Sequence, residues 1–419
     1  MERYNQTDYF MDLSLVDDPF PYFEHLRSRG TVVALPAHNV VAVTSFDEAL
    51  AAHLDSEHLS AVNAVIGPLP PMPFTPEGED ITDQIDAHRA QIPFGEDVLT
   101  LDQPRHTPLR SLMMRLFTPR RLKEMEVSIA RIGNDLLDEL APAGGCEFVR
   151  AYARPFALLG IADLLGVPDT ERAEFRANDA AGTSRIGAGE NASVTNPLDF
   201  RRDKFVGYLT DRRAAPTQDI LSELANATYP DGSQPGIADV VKVASLLFGA
   251  GQDTTATLLG NALRIVAEDA ELQQRLRHDN SLIPAFVEEV LRFNGPVKST
   301  FRLARKPVLL GGVEIAPGTT VMITTAAANR DPIKFEDPNS FILGRARGKE
   351  HLSFGRGIHT CPGASLARSQ ARISLELLLA RFTGIEIDED AHGSRGERHF
   401  TYQPTYVFRT LTDLHLRFR

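Results

Sequence analysis

The residues best suited to chemistry lie between positions 354 and 363, Phe-Gly-Arg-Gly-Ile-His-Thr-Cys-Pro-Gly. Cys361 sits there among Gly355, Gly357 and Gly363, with Pro362 after it and an Ala/Leu/Arg-rich stretch from Ala364 to Phe382. The pattern predicts a helix with Cys361 as its N-cap and Pro362 at its first position, where a missing N–H costs nothing. A sulfur placed so faces free N–H groups and the positive end of the helix dipole, and both favour thiolate over thiol. The glycines clear a loop that passes close under something flat and bulky. Such a sulfur is a metal ligand or a nucleophile; the alternative is a small buried hydrophobe. A structural zinc site does not fit, because it wants four close N/S ligands and the chain holds only Cys146 and Cys361. Nor does a phosphate loop, since no G-x-x-x-x-G-K-[ST] is present.

Three further groupings carry chemistry-bearing side chains. His106 and Arg110 are four apart at the start of a helix and share one face, which on spacing alone reads as a solvated pair. Phe248-Gly-Ala-Gly-Gln-Asp-Thr-Thr255 places two glycines, an acid and two threonines inside the apolar helical pattern Ile237 to Glu268, which is about 45 Å long. Each glycine there costs roughly 1 kcal/mol relative to alanine. Thr254 can back-bond the Ala250 carbonyl and bend the helix. The segment is a flawed buried helix or a kink that opens a polar notch. Glu289 and Arg292 lie three apart on a helix predicted over Ser281 to Phe293, where an exposed pair would be worth little.

The elements that must position these groups follow from periodicity and turn residues. Pro19 to Arg29 reads as a helix, Thr31–Ala34 and Val40–Thr44 as a hairpin, and Ser45-Phe-Asp-Glu48 as a capping box opening the next helix. Residues 58 to 100 are interrupted by five prolines between Pro68 and Pro76, with a short helix from Ile81 to Ala90; so long a segment is expected to be a functional loop or lid. Amphipathic helices are expected over Leu122–Leu140 and Phe148–Leu165, and a loop over 181–198. Strands are expected at Ser299–Ala304, Val308–Ile315 (as a hairpin) and Thr319–Ile323, and a terminal hairpin at Thr405–Phe408 with Leu414–Phe418. The fold class is therefore mostly α with a minor β region. No composition shift divides the chain, so residues 1–419 are expected to form a single domain, its small β-containing lobe drawn from about 30–45 and 299–323.

Bulk properties narrow the function. A formal net charge of −12 argues against a nucleic-acid binder. There is no run of 18 apolar residues and Met1 to Leu13 is polar, so neither a membrane anchor nor a signal peptide is expected. Two distant cysteines fit a reducing cytoplasm. Arg345, Arg347, Lys349, Arg356 and Arg368 surround the Cys361 loop, as a basic face for an acidic partner or as solvated loop charges.

Phe354-Gly355-x-Gly357-x-His359-x-Cys361-x-Gly363 resembles the haem-ligand signature of the cytochromes P450. The resemblance runs from about Pro19 onward and takes in Ala250-Gly251-x-Asp253-Thr254-Thr255, Glu289-x-x-Arg292, and His106 with Arg110 ahead of Phe117-Thr118-Pro119. It implies the cytochrome P450 fold, with haem b (iron protoporphyrin IX) between a long central helix and the helix after the cysteine loop. Cys361 would then be the thiolate ligand of the iron, with Phe354, Gly355, Pro362 and Gly363 shaping its loop and Ala250 and Gly251 lining the opposite side. His106, Arg110, Arg302 and His359 would hold the haem propionates. Asp253 and Thr254 would deliver protons to dioxygen. Glu289 and Arg292 would be buried with a third partner, Arg345 or Arg347, on either side of Ala346 where the register falls.

The implied activity is a monooxygenase that hydroxylates a small hydrophobic substrate. No flavin or dinucleotide domain is fused, so electrons would come from a ferredoxin and its reductase. The protein would be a cytoplasmic monomer with no nucleic-acid or membrane partner. By family position the substrate would meet Ile92, Phe94, Val98, Ala250, Gly251, Val297, Lys298, Val407 and Phe408. Lys298 either reads an anionic group or, as most lysines do, points into solvent. Rival readings are a haem protein that senses or binds without oxygenating, and a helical carrier without haem.

Overall fold

Ile237–Glu268 forms one continuous helix of 32 residues, apolar almost all round: Val240, Leu259 and Leu263 are fully buried. A helix with no polar face belongs in the middle of a protein. This one packs against the helices Arg154–Leu165, Asp199–Ala214 and Ala364–Arg381. The computed structural model describes residues 4–179, 185–186, 194–195 and 199–419.

The helices around it start and stop where local chemistry says. Pro119–Leu140 has Pro119 at its first position and Thr118 as N-cap, with the Thr118 side chain accepting from the Arg121 N–H. It buries Leu122, Met125, Ile129, Ile132 and Leu136 on one stripe against Ala364–Arg381. The single π-turn Val149–Ala153 leads into Arg154–Leu165, which closes at Gly166 in the left-handed region, φ 70°.

The β region is a five-stranded sheet in the order Val32–Leu35, Val40–Val43, Thr320–Ile323, Thr300–Ala304, Leu59–Ser60. Val40–Val43 and Thr320–Ile323 run parallel; the other pairs are antiparallel. Arg302 stands opposite Val321 in this register, which fixes it on a central strand. Tyr22, Phe23, Phe301 and Tyr406 form a separate apolar cluster beside the sheet.

Four expectations change. The terminal hairpin is absent: His415–Phe418 pairs instead with Ile385–Ile387 and Gly145–Glu147. Thr405–Phe408 forms no strand and meets Val297 through one isolated bridge at Phe408. At Ser45 the hydroxyl donates to the Glu48 carboxylate instead of accepting from a helix N–H, and the Asp331 carboxylate accepts the first helical N–H, of Phe46, at 2.8 Å. Within 181–198, Arg185–Ile186 and Val194–Thr195 pair as two short strands, and the rest of that expected loop lies outside the described residues.

The long segment 58–100 is not loose. Arg89 is buried and donates to Asp86 Oδ1 at 2.7 Å, Gly95 O at 3.2 Å, Thr100 O at 2.9 Å and Asp102 Oδ2 at 2.5 Å. Asp102 also accepts from the Ser60 hydroxyl at 2.5 Å and the Ala61 N–H at 2.9 Å. Arg89 therefore cross-links the segment internally, and Asp102 joins it to Ser60, Ala61 and the start of the helix His106–Met114. Among the described residues no helix is long and apolar enough to cross a membrane.

Candidate active site

One cavity of about 280 Å³ lies between the central helix and the cysteine loop. That is well beyond the ~10–15 Å³ one water needs, so the space suits a molecule rather than solvent. Cys361, Pro362, Phe354, Gly355 and His359 line it from the loop, and Ala250, Thr254 and Leu258 from the central helix. His106 and Arg110 enter from His106–Met114, and Arg302 from the sheet.

The loop is shaped by backbone needs. Gly355 and Gly357 have φ of 63° and 72°, and a Cβ on Gly357 would stand 2.6 Å from the His53 carbonyl oxygen. The Cys361 N–H donates to Phe354 O at 2.8 Å, closing the loop on itself. Cys361 is not the helix N-cap. The helix runs Ala364–Arg381 with Gly363 as cap, so the sulfur sits a half-turn before it. The sulfur is open to the cavity but deep in the protein, and the expected thiolate preference is reversed. Burial pushes the Cys361 thiol up, against the N–H groups of Gly363 and Ala364 and the charges of Arg110 and Arg368. A bound metal removes that cost, since a coordinating thiol is deprotonated outright.

The polar end of the cavity is strongly basic. Arg302, Arg110, His106 and His359 come together with no Asp or Glu among the cavity's described lining residues. The rings of His106 and His359 are 4.4 Å apart between centroids. Burial, with neighbouring cations adding to it, pulls His106 down to about 4 and His359 to about 2; burial pulls Arg302 to about 10. His106 Nδ1 is buried without a partner. Arg302 donates to Phe301 O at 2.7 Å and Arg110 to Thr360 O, but no carboxylate meets their charges, and buried cations without a counter-ion are costly unless an anion completes the cluster. Two carboxylates beside a flat apolar body fit this cavity, and a thiol faces the same space. The donor set therefore fits haem.

In the central helix, Thr254 Oγ1 donates to Ala250 O at 2.9 Å, the back-bond its position predicts. Thr254 faces the cavity, whereas the Asp253 carboxylate lies 3.4 Å from Arg154 on the neighbouring helix. Gly251 turns away: a Cβ there would meet Ile161 at 3.3 Å, so it allows helices to approach and does not line the cavity.

Of the other substrate positions, Val98 and Val297 line the cavity, with Leu246 and Leu247 beside them. Ile92 and Phe94 pack with Val62, Ile85 and Leu303, and Val407 and Phe408 pack with the aromatic cluster by the sheet. Lys298 does neither thing expected of it. It is 2% exposed, and its Nζ donates to Thr405 O at 2.6 Å.

Supporting contacts resolve two further points. Glu289 and Arg292 are buried and paired at 2.7 Å, and Arg345 supplies the third member, its Nε 3.0 Å from Glu289 Oε1. Arg347 instead stands 68% exposed near Glu350. The expected basic face shrinks accordingly. Arg345 is internal, Arg356 donates to loop carbonyls and Arg368 pairs with Glu288, leaving Arg347 and Lys349 exposed. Sequence reasoning missed His53, which lines the cavity from the helix Phe46–Leu54. Nothing in its local pattern separates it from a core histidine.

Residues 207–399 match the family model for Cytochrome P450. Cytochrome P450 144 of Mycobacterium tuberculosis is 34% identical over 389 residues, 90% of this chain and 86% of its own length. The monooxygenase PikC of Streptomyces venezuelae is 31% identical over 414 residues, covering 96% and 91%. The solved structure of Mycobacterium marinum cytochrome P450 CYP150A6 in its substrate-free form is similar with a TM-score of 0.94 and 49% identity, over 99% of both chains.

Proposed function

The chain belongs to the cytochrome P450 family, and from that premise we propose that it is a haem-thiolate monooxygenase acting on a small hydrophobic substrate. One observation carries the reading: the Cys361 sulfur, the Thr254 hydroxyl and the basic cluster of Arg110, Arg302, His106 and His359 face one cavity from separate elements. Haem, when bound, supplies the redox chemistry that activates dioxygen and inserts one of its atoms into a substrate C–H bond.

The chain's own groups do the rest. Cys361 is the iron ligand, and His106, Arg110, Arg302 and His359 donate to the propionates through charge-assisted hydrogen bonds. The apolar side chains of Leu246, Leu247, Val98 and Val297 exclude water and hold an apolar substrate. Thr254 holds a proton at the cavity wall, and its bond to Ala250 O orients the hydroxyl. Asp253, outside the cavity and held by Arg154, passes protons inward to it, a general-acid role. Electrons arrive from a ferredoxin and its reductase, docked at the face bearing Arg347 and Lys349.

The ferrous–CO absorption spectrum of the purified protein tests the reading first. A long-wavelength Soret band is expected for thiolate ligation; a short-wavelength band would remove Cys361 as ligand. Dioxygen-dependent product formation with ferredoxin and reductase then separates an oxygenase from a haem sensor.

A further inference from the structure

His53 shares the basic end of the cavity with Arg302 and His359, and none of the sequence signatures points to it. It is 6% exposed, and both of its ring nitrogens are buried without a hydrogen-bond partner. Its position is fixed by the backbone. The Gly357 Cα passes so close that a Cβ would stand 2.6 Å from the His53 carbonyl oxygen, and a Cβ on Gly355 would stand 3.6 Å from the ring Cε1. The end of Phe46–Leu54 is thus pressed onto the cysteine loop, and the imidazole projects past it into the cavity.

A satisfied core histidine would bond a carbonyl or carboxylate on the protein, as His351 does with Glu288 at 3.2 Å. His53 has no such bond, and its charged neighbours, Arg302 and Arg356, are both cations. A buried imidazole always carries at least one N–H, and such groups are rarely left unpaired. The missing partner is an acceptor that enters through the cavity.

We infer that His53 is a fifth donor to the carboxylates of the bound haem, from an element not otherwise used to hold it. The inference rests on the haem-thiolate reading above. Because the same helix end braces Gly355 and Gly357, His53 would join the carboxylate end of the cofactor to the loop that carries Cys361.

Haem transfer from the holoprotein to excess apomyoglobin tests this. His53→Leu, which fills the space without a donor, is expected to lose haem at least about tenfold faster than wild type, with its ferrous–CO Soret band unmoved. His53→Gln, which keeps an N–H, is expected to stay within about threefold of wild type. The propionate bending band in the resonance Raman spectrum is expected to shift in His53→Leu and not in His53→Gln. Should His53→Leu fail to fold, His53→Met serves as the apolar variant. Haem loss in the apolar variant within twofold of wild type would overturn the inference, as would equal acceleration in the apolar and Gln variants, which would mean packing alone. A wild-type protein without the thiolate Soret band would instead overturn the underlying reading.

Discussion

Lys298→Met is expected to make this protein more stable at neutral pH. The ammonium is buried against one neutral acceptor, Thr405 O at 2.6 Å. Burial, reinforced by Arg409 and opposed by Asp17, pulls its pKa from 10.5 down to about 7. A lysine whose folded pKa lies below its unfolded value destabilises the fold fully below the folded pKa, and the penalty fades as pH rises towards the unfolded value. Between about pH 7 and 10.5 the unfolded chain binds more protons, so wild-type stability rises with pH by up to about 1.4 kcal/mol per unit. The full penalty has a ceiling of roughly 5 kcal/mol. Methionine fills the volume but leaves Thr405 O unpaired, at a cost of about 1–3 kcal/mol. The expected net gain at pH 7 is about 2 kcal/mol, the usual direction when a buried charge gives way to an apolar side chain. Urea unfolding of both holoproteins at pH 7 and pH 9 measures it from midpoints and slopes. The variant should lead at pH 7, and its lead should shrink by roughly 2–3 kcal/mol at pH 9. An equal gap at both pH values, or a wild type that is more stable at pH 7, would refute the reasoning.

Arg345→Met should cost about 3 kcal/mol by breaking a buried charge network, whereas Arg347→Met should stay within about 0.5 kcal/mol; denaturation curves of the two show whether the third member is assigned correctly. Gly357→Ala places a methyl group 2.6 Å from His53 O at a left-handed position, so the haem-to-protein ratio after purification should fall well below that of wild type. Thr254→Ala removes the hydroxyl at the cavity wall, and product formed per reduced dinucleotide consumed should drop at least tenfold; unchanged coupling would take Thr254 out of the proton path.

What the sequence could show depended on how local the cause was. The central helix was legible to the residue because one face after another of Ile237–Glu268 is apolar. The back-bond of Thr254 to Ala250 follows from helical geometry alone. The Cys361 loop was legible as a glycine-lined turn before a helix, but that helix was begun two residues early, since Gly363 is the N-cap. The thiolate preference failed because helix-end dipoles are local whereas burial is a property of the whole fold. Lys298 and His53 escaped for the same reason, and the choice between Arg345 and Arg347 stayed open for it. Each is defined by residues 56 to more than 300 positions away: Thr405, Glu289 and the Gly355–Gly357 loop. The terminal hairpin failed because strand propensity does not name a partner; His415–Phe418 chose Gly145–Glu147, from the first half of the chain.

Arg89 has a consequence for traffic into the cavity. An opening that swung residues 81–100 away from His106–Met114 would have to break the buried Arg89–Asp102 pair at 2.5 Å, while the bonds of Arg89 to Asp86, Gly95 and Thr100 keep the segment itself rigid. This flank therefore acts as a fixed jamb, and any door must hang elsewhere. It also couples Arg89 to Asp102 in inheritance: loss of either leaves the other buried without its ion-pair partner. The Asp102 carbonyl also accepts the His106 N–H at 2.9 Å, so the jamb holds the start of the helix that carries His106 and Arg110.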